Sequence, residues 1–287
     1  FPPERIVCLT EETVETLYLL GEDRRIVGVS GYAVRPPQVR REKPRVSAFT
    51  SADLPKILAL DPDLVLTFSD LQAGIVADLV RAGIAVTAFN QREVAGILAM
   101  IRHVGALVGA SDRADTLVQD YERRLDAVAA RAADRPRPVV YFEEWDEPMI
   151  SGIHWVSELV EIAGGREAFP QLAPMKSARD RIVTSDQVTA AAPDVILASW
   201  CGKKVRPDRI AARPGWNGVA CLPGTHSKWA RIEDGRVTAF RTFMTGELYA
   251  LLAGQSVLRL SVMDAEPDLP AFDTAAASGA GLADLFS

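Results

Sequence analysis

Apolar and polar positions in this chain follow two alternating periods, and the switches between them mark short strands and helices. Residues 6–9, IVCL, are an unbroken apolar run and predict a short strand. Thr10-Glu11-Glu12 opens a helix that carries Val14, Leu17, Tyr18 and Leu20, and Gly21 ends it. A strand is predicted over 26–29, before a Ser30-Gly31-Tyr32 turn. Residues 33–45 are rich in Pro and Arg and read as an ordered surface loop. The stretch 50–68, TSADLPKILALDPDLVLTF, is the most informative. Thr50 or Ser51 is the expected helix cap, with Asp53 in the first turn, where a negative charge suits the helix dipole. Leu54, Ile57 and Leu58 share one face, Pro62 stops the helix, and Leu64-Val65-Leu66 predicts a parallel strand covered on both faces. The same grammar returns at 184–200, TSDQVTAAAPDVILASW. Pro62-Asp63 matches Pro193-Asp194, and each run ends in an aromatic, Phe68 and Trp200.

Between the two copies the pattern predicts helix 71–81, strand 84–89 and a helix from Val94 to Leu107. A longer helix runs from Ser111 or Asp112 to about Ala133, with Leu117, Tyr121, Leu125 and Val128 as its apolar stripe. Prolines end it. At about 1.5 Å per residue it spans roughly 30 Å, enough for a strut joining two lobes; the plainer alternative is one more helix packed on one domain. Strand 139–143 follows, then an acidic aromatic loop, Glu143-Glu144-Trp145-Asp146-Glu147-Pro148, then helix 155–163. Residues 166–183 read as irregular. After the second copy come helix 206–213, strand 219–222, a hairpin over 229–240 turning at Asp234-Gly235, and a closing helix over 243–262. The β-α alternation predicts an α/β protein of two similar lobes with mostly parallel central sheets, joined by one long interdomain helix. The boundaries are 1–111 for the first lobe, 112–135 for the helix and 136–263 for the second lobe. The tail, 264–287, is expected to drape on the surface or to be partly disordered.

Composition narrows the function classes. A chain of 287 residues is comfortable for two cores, and 48% hydrophobic with 24% charged residues is ordinary for a soluble globular protein. A net charge of -6 gives no electrostatic case for nucleic acid. No apolar run is long enough to span a membrane. The chain begins at Phe1 rather than Met, so a removed signal sequence would leave no trace. Cys8, Cys201 and Cys221 form neither a disulfide framework nor a zinc pattern. Cys8 and Cys221 are expected to be buried small hydrophobes, with a Cys201–Cys221 bridge as the alternative.

Catalytic signatures are missing from the sequence: no G-x-S-x-G, no P-loop, and no G-x-G-x-x-G after a strand. His103, His154 and His226 are scattered; the last two fall in predicted inter-lobe loops. The acidic cluster reads as a solvated loop or contact surface, with an acid/base pair or cation site as the sharper alternative. Aromatics gather at strand ends and in loops: Tyr32, Phe49, Phe68, Trp145, Trp200 and Phe243. Ligands of open α/β sheets bind at the carboxyl ends of strands, so these flat, stiff side chains would line one cleft suited to a bulky ring-like ligand. Arg241, Lys203 and Lys204 are candidate cleft cations.

RIVCLTEETVETLYLLG, RIVGVSGY, the PDLVL and PDVIL units, the long mid-chain helix, and RPGW followed by EDGRV carry a resemblance over about residues 4–262. The chain resembles the substrate-binding proteins of ABC importers for cobalamin, haem and iron–siderophores, and the cobalamin binders most of all. The resemblance implies a non-catalytic, monomeric, periplasmic or lipid-anchored protein with no cofactor of its own, which holds a corrinoid between its lobes and delivers it to permease subunits. It implies ligand contacts at Tyr32, Phe49, Phe68, Trp145 and Trp200. It also implies an acidic docking residue on a surface helix of each lobe. That residue is Asp186 in the second lobe; in the first the matching position is Pro55, so Asp53 is the substitute. A haem or ferric-siderophore cargo stays open. So do a metal-tetrapyrrole enzyme, for which His154, His226 and Cys201 are the only material, and a cytosolic ligand sensor.

Overall fold

The computed structural model describes residues 2–244 except 202, 214 and 225, together with Glu247. The chain divides into two compact units, with the boundary between Ala130 and Arg131. The first contains β1 (Ile6–Cys8), α1 (Glu11–Leu19), β2 (Ile26–Ser30), α2 (Val39–Glu42), β3 (Arg45–Ser47), α3 (Leu54–Leu58), β4 (Leu64–Phe68), α4 (Ala73–Arg81), β5 (Val86–Phe89) and α5 (Val94–Leu107). Its five strands run in the order β3-β2-β1-β4-β5 and all pair in parallel. Side chains alternate across a strand, and the core obeys this period. Ile6, Cys8, Leu64 and Leu66 enter one apolar cluster, under α1 and α5, while Val7, Leu9 and Val65 enter another with Ile57 and Leu79. That two-sided burial is why the strands read as unbroken apolar runs.

Two predictions in this unit are corrected. The stretch 33–45 contains α2 and the start of β3 rather than loop alone. The cap of α3 is Asp53, whose carboxylate accepts from the Lys56 N–H at 3.0 Å; Thr50 and Ser51 lie outside the helix.

The helix α6 (Ser111–Ala132) has the predicted extent. Ala114 and Val118 are buried in the core of the first unit, and Leu117 and Tyr121 pack against it. Gly105 on α5 permits this approach, because a Cβ there would sit 2.3 Å from the Ala114 methyl carbon. At the other end Ala132 lies against Gly164, where a Cβ would come within 2.7 Å and where φ is +84°.

The second unit contains β6 (Val139–Asp146), β7 (Met149–Ser151), α7 (His154–Ile162), β8 (Arg166–Glu167), α8 (Ser185–Ala191), β9 (Val195–Ala198), α9 (Pro207–Ala211), β10 (Gly218–Leu222), β11 (Ser227–Glu233) and β12 (Arg236–Phe243). The strand order is β12-β11-β10-β9-β6-β7, with β8 also on β6. β6, β9 and β10 are parallel, while β11, β12 and β7 are antiparallel to their neighbours. Tyr141, Ile196, Ala198, Ala220 and Leu222 face one cluster, and Val140 and Val195 face the other. The predicted acidic loop is instead the end of β6, which runs to Asp146 and turns back into β7. α8 has a full capping box: Thr184 Oγ1 accepts from Gln187 N–H at 3.2 Å, and Gln187 Oε1 accepts from Thr184 N–H at 2.8 Å. Apart from Phe243, Met244 and Glu247, the predicted closing helix and the tail lie outside the described residues.

Candidate functional site

In the first unit the strand order changes direction between β1 and β4, and the carboxyl ends of those strands are where an open α/β sheet accepts a ligand. Tyr32 follows β2, Phe49 follows β3 and Phe68 ends β4, so all three predicted aromatics come to this one edge. Tyr32 is exposed, and Phe49 and Phe68 are half-buried. The Arg92 guanidinium lies 5.1 Å over the Phe68 ring and pairs with Asp70 at 3.2 Å.

A residue that the sequence reading passed over holds this edge together. The Gln72 side chain is fully buried. Its amide donates to the Leu9 carbonyl at 3.2 Å and the Phe49 carbonyl at 2.8 Å, and its Oε1 accepts from the Phe68 N–H at 3.1 Å. One side chain thus clamps the ends of β1, β4 and the turn after β3. Ser69 beside it is buried and holds φ +67°, a strained value for a residue with a Cβ. The available signal was a polar residue four positions past the aromatic that ends β4.

The second unit presents Trp145 near the end of β6, Trp200 just after β9, and Arg241 and Phe243 at the end of β12. Phe243 pairs with Ser227 and Arg241 with Trp229, which puts them at the same sheet edge as the β10–β11 connection. Phe68 and Trp200 are not equivalent positions: Phe68 stands six residues after Pro62, and Trp200 seven after Pro193. The single-residue offset makes Ser69 the counterpart of Trp200. Trp200 is buried, and its indole N–H donates to Glu143 at 2.9 Å.

Among the acids of this run only Glu147 is solvent-exposed, and each of the four carboxylates faces a cation. Glu143 is wholly buried, and Arg213 donates to its other oxygen. Burial pushes the Glu143 carboxyl above its ordinary value, against the opposing pull of Arg213 and the Trp200 hydrogen bond. Glu144 pairs with the buried Arg181 at 2.7 Å. Asp146 is flanked by Lys203 and by Arg209, the latter at 2.7 Å, and Glu147 by Arg209 at 3.1 Å. Burial acts upward on Asp146, but the hydrogen bonds from Lys203 and Arg209 outweigh it and hold the carboxyl below the usual range. Lys203 Nζ lies 3.9 Å over the Trp145 ring and 5.3 Å from the Trp200 ring, a cation between two indoles. Alternation of acids along a strand demands such counter-charges. The arginines that supply them come from 37 to 70 residues away, beyond reach of local pattern.

Among the described residues no group of three or more His, Cys, Asp or Glu is placed to hold a metal ion. His103 is exposed and meets Phe89 edge-on; His226 faces Glu247. The cysteines are not disulfide-bonded, which removes the Cys201–Cys221 bridge, and burial pushes the Cys221 thiol up to about 11.

The two candidate docking acids are both exposed at helix starts. Their registers differ. Asp53 is the cap itself, equivalent to Thr184, whereas Asp186 is two positions inside α8, equivalent to Pro55. Asp186 pairs with no cation among the described residues, while Asp53 is engaged as a cap.

The family described as periplasmic binding protein matches residues 6–222. A vitamin B12-binding protein of Vibrio cholerae is 28% identical over 207 residues, covering 69% of this chain and 71% of that one. The crystal structure of a periplasmic vitamin B12 binding protein of Vibrio cholerae aligns with TM-score 0.59 at 25% identity, over 69% of this chain and 77% of the other. A periplasmic haem-binding protein in complex with two hemes aligns with TM-score 0.61 at 25% identity, over 74% and 83%. A second family, described as 2-keto-3-deoxy-galactonokinase, matches residues 208–287. A protein of Rhizobium meliloti named a probable 2-dehydro-3-deoxygalactonokinase is 36% identical over 136 residues; that is 45% of this chain but only 38% of the relative's length. The binding-protein match therefore stops at Leu222, short of the extent to residue 262 expected from sequence. EDGRV, residues 233–237, belongs to the kinase-matched segment.

Proposed function

The chain belongs to the periplasmic binding protein family, and from that premise we propose that it captures a corrinoid of the vitamin B12 kind and hands it to an ABC importer outside the cytoplasm. The observation that carries this reading is the aromatic edge of each central sheet: Tyr32, Phe49 and Phe68 on one, Trp145 and Trp200 on the other. Such side chains offer large, rigid, flat contact area at small entropic cost, which suits the rim and face of a macrocycle. The relatives matched over most of this chain are binding proteins by name, in keeping with capture rather than turnover. Among the described residues no helix is long and apolar enough to cross a membrane. The family match that supports this reading covers residues 6–222.

Calorimetric titration with cyanocobalamin is the test. The expected result is one-to-one binding that weakens when Phe49 or Trp145 is replaced by Ala. No heat and no co-elution at tens of micromolar removes the corrinoid reading. A haem cargo is the second reading, favoured by Lys204, which lines the same concavity as Trp200 and has no carboxylate partner among the described residues; haemin titration with absorbance detection separates the two.

A further inference from the structure

A concavity of ≈ 400 Å³ opens beside Trp200 at the ends of β9 and β10. This is near the low end of small-molecule sites, roughly 300–1,000 Å³, and takes a substituent of a macrocycle rather than its body. Its lining includes the apolar Trp200, Val205 and Leu222 together with Lys203, Lys204, His226 and Lys228. These polar side chains are not equivalent. Lys203 is neutralised by Asp146, and His226 faces Glu247 at the rim. Lys228 Nζ donates to the His226 carbonyl at 3.1 Å, a neutral acceptor, and Lys204 has no carboxylate partner among the described residues. Among the described residues, then, neither the Lys204 nor the Lys228 ammonium is matched by a carboxylate, and both border the apolar part of the lining.

The walls come from both matched segments. Trp200, Lys203 and Lys204 lie in the binding-protein match, whereas His226 and Lys228 lie beyond residue 222, in the kinase-matched segment. We propose that this concavity is an anion subsite, in which Lys204 and Lys228 hold a phosphate or carboxylate borne by the macrocyclic cargo while the Trp200 side packs its apolar neighbour. Lysine serves such groups as a point charge with three donors. The inference rests on the corrinoid reading in one respect: the anion it assigns is the phosphodiester of the nucleotide loop of cobalamin. Haem propionates are the other source of the same chemistry.

The experiment compares cyanocobalamin with dicyanocobinamide, which lacks the phosphodiester, on the wild-type chain, Lys204→Gln, Lys228→Gln and the double variant. Both lysines are at the surface, and unchanged far-UV circular dichroism serves as the folding control. The expected result is a loss of cobalamin affinity of about three- to tenfold for each single variant, larger for the double, with cobinamide affinity unchanged. Raising salt shrinks the wild-type preference for cobalamin. Equal loss for both corrinoids, or loss for neither, overturns the subsite while leaving the cargo reading standing. If the wild-type chain binds neither corrinoid, the cargo reading falls, and haemin against its dimethyl ester decides the subsite. Preference for the free acid that the double variant abolishes supports it; no preference overturns it.

Discussion

Replacing Gln72 by Leu should open the ligand edge of the first unit while leaving the second intact. Leucine fills a similar volume but neither donates nor accepts. The substitution strands the Leu9 and Phe49 carbonyls and the Phe68 N–H, which Gln72 now engages at 3.2, 2.8 and 3.1 Å. The bond to Leu9 is buried, and the other two are part-buried. A buried group left unmatched costs about 1–3 kcal/mol, and part-buried groups recover some of that from water, so one full and two partial losses come to about 2–4 kcal/mol. The five tryptophans, Trp145, Trp155, Trp200, Trp216 and Trp229, all lie in the second unit. Urea unfolding followed by tryptophan fluorescence therefore reports that unit, and hydrogen exchange at the β1 and β4 amides reports the first. Exchange protection should fall by the stated amount with the fluorescence transition unmoved, and corrinoid binding should weaken. Gln72→Glu keeps the acceptor for Phe68 but sets a buried carboxylate against the Leu9 and Phe49 carbonyls, and should be at least as damaging at neutral pH. A protection loss below about 0.5 kcal/mol, or one shared equally by the fluorescence transition, refutes the clamp.

The docking acids separate by chemistry. Asp186→Lys should impair transport in a reconstituted importer and spare ligand binding. Asp53→Ser keeps a capping oxygen but removes the charge; if it transports as well as wild type, Asp53 is not the docking charge of the first unit. Asp146 sets a pH test. Its carboxyl is held below the ordinary value, about 3.9, by hydrogen bonds from Lys203 and Arg209 that outweigh burial. Its contribution to stability is therefore present above that value and is lost as pH falls through the lowered one. Asp146→Asn should be less stable than wild type at neutral pH, with the gap closing on acidification below about pH 4. A gap constant with pH counts against the pairing.

Much of the first unit was legible because its elements announce themselves locally. An unbroken apolar run signals a strand buried on both faces, and β1 and β4 do divide their side chains between two clusters. β3 escaped because only Val46 of its three residues is buried, which leaves no pattern to read. The acidic end of β6 read as loop because its carboxylates suggest solvent. Their partners Arg181, Arg209 and Arg213 are distant in sequence, and pairing across such gaps is a property of the fold. The repeated Pro-Asp unit was real, but one inserted residue before Trp200 shifts it off the position of Phe68. Trp200 therefore falls beyond the end of β9, whereas Phe68 is the last residue of β4. Gln72 was invisible because one polar residue at a helix start has many bland explanations. Only the convergence of three chain segments on it gives it a role.

The last strand of the binding-protein match, β10, lies where the two family matches overlap, over residues 208–222, and is hydrogen-bonded on its far side to β11, which the second match alone reaches. Main-chain ladders do not read side chains. An edge strand accepts any hairpin whose pleat, twist and hydrophobic face agree with its own. Here Ala230 and Ile232 supply that face, burying themselves beside Ala220 and Leu222. A sheet edge therefore works as a splice point, where foreign sequence can be joined at the cost of matching only every second residue. The loop that precedes the joined hairpin reaches the edge that carries the concavity beside Trp200. Family resemblance thus changes within one continuous sheet that keeps a single core.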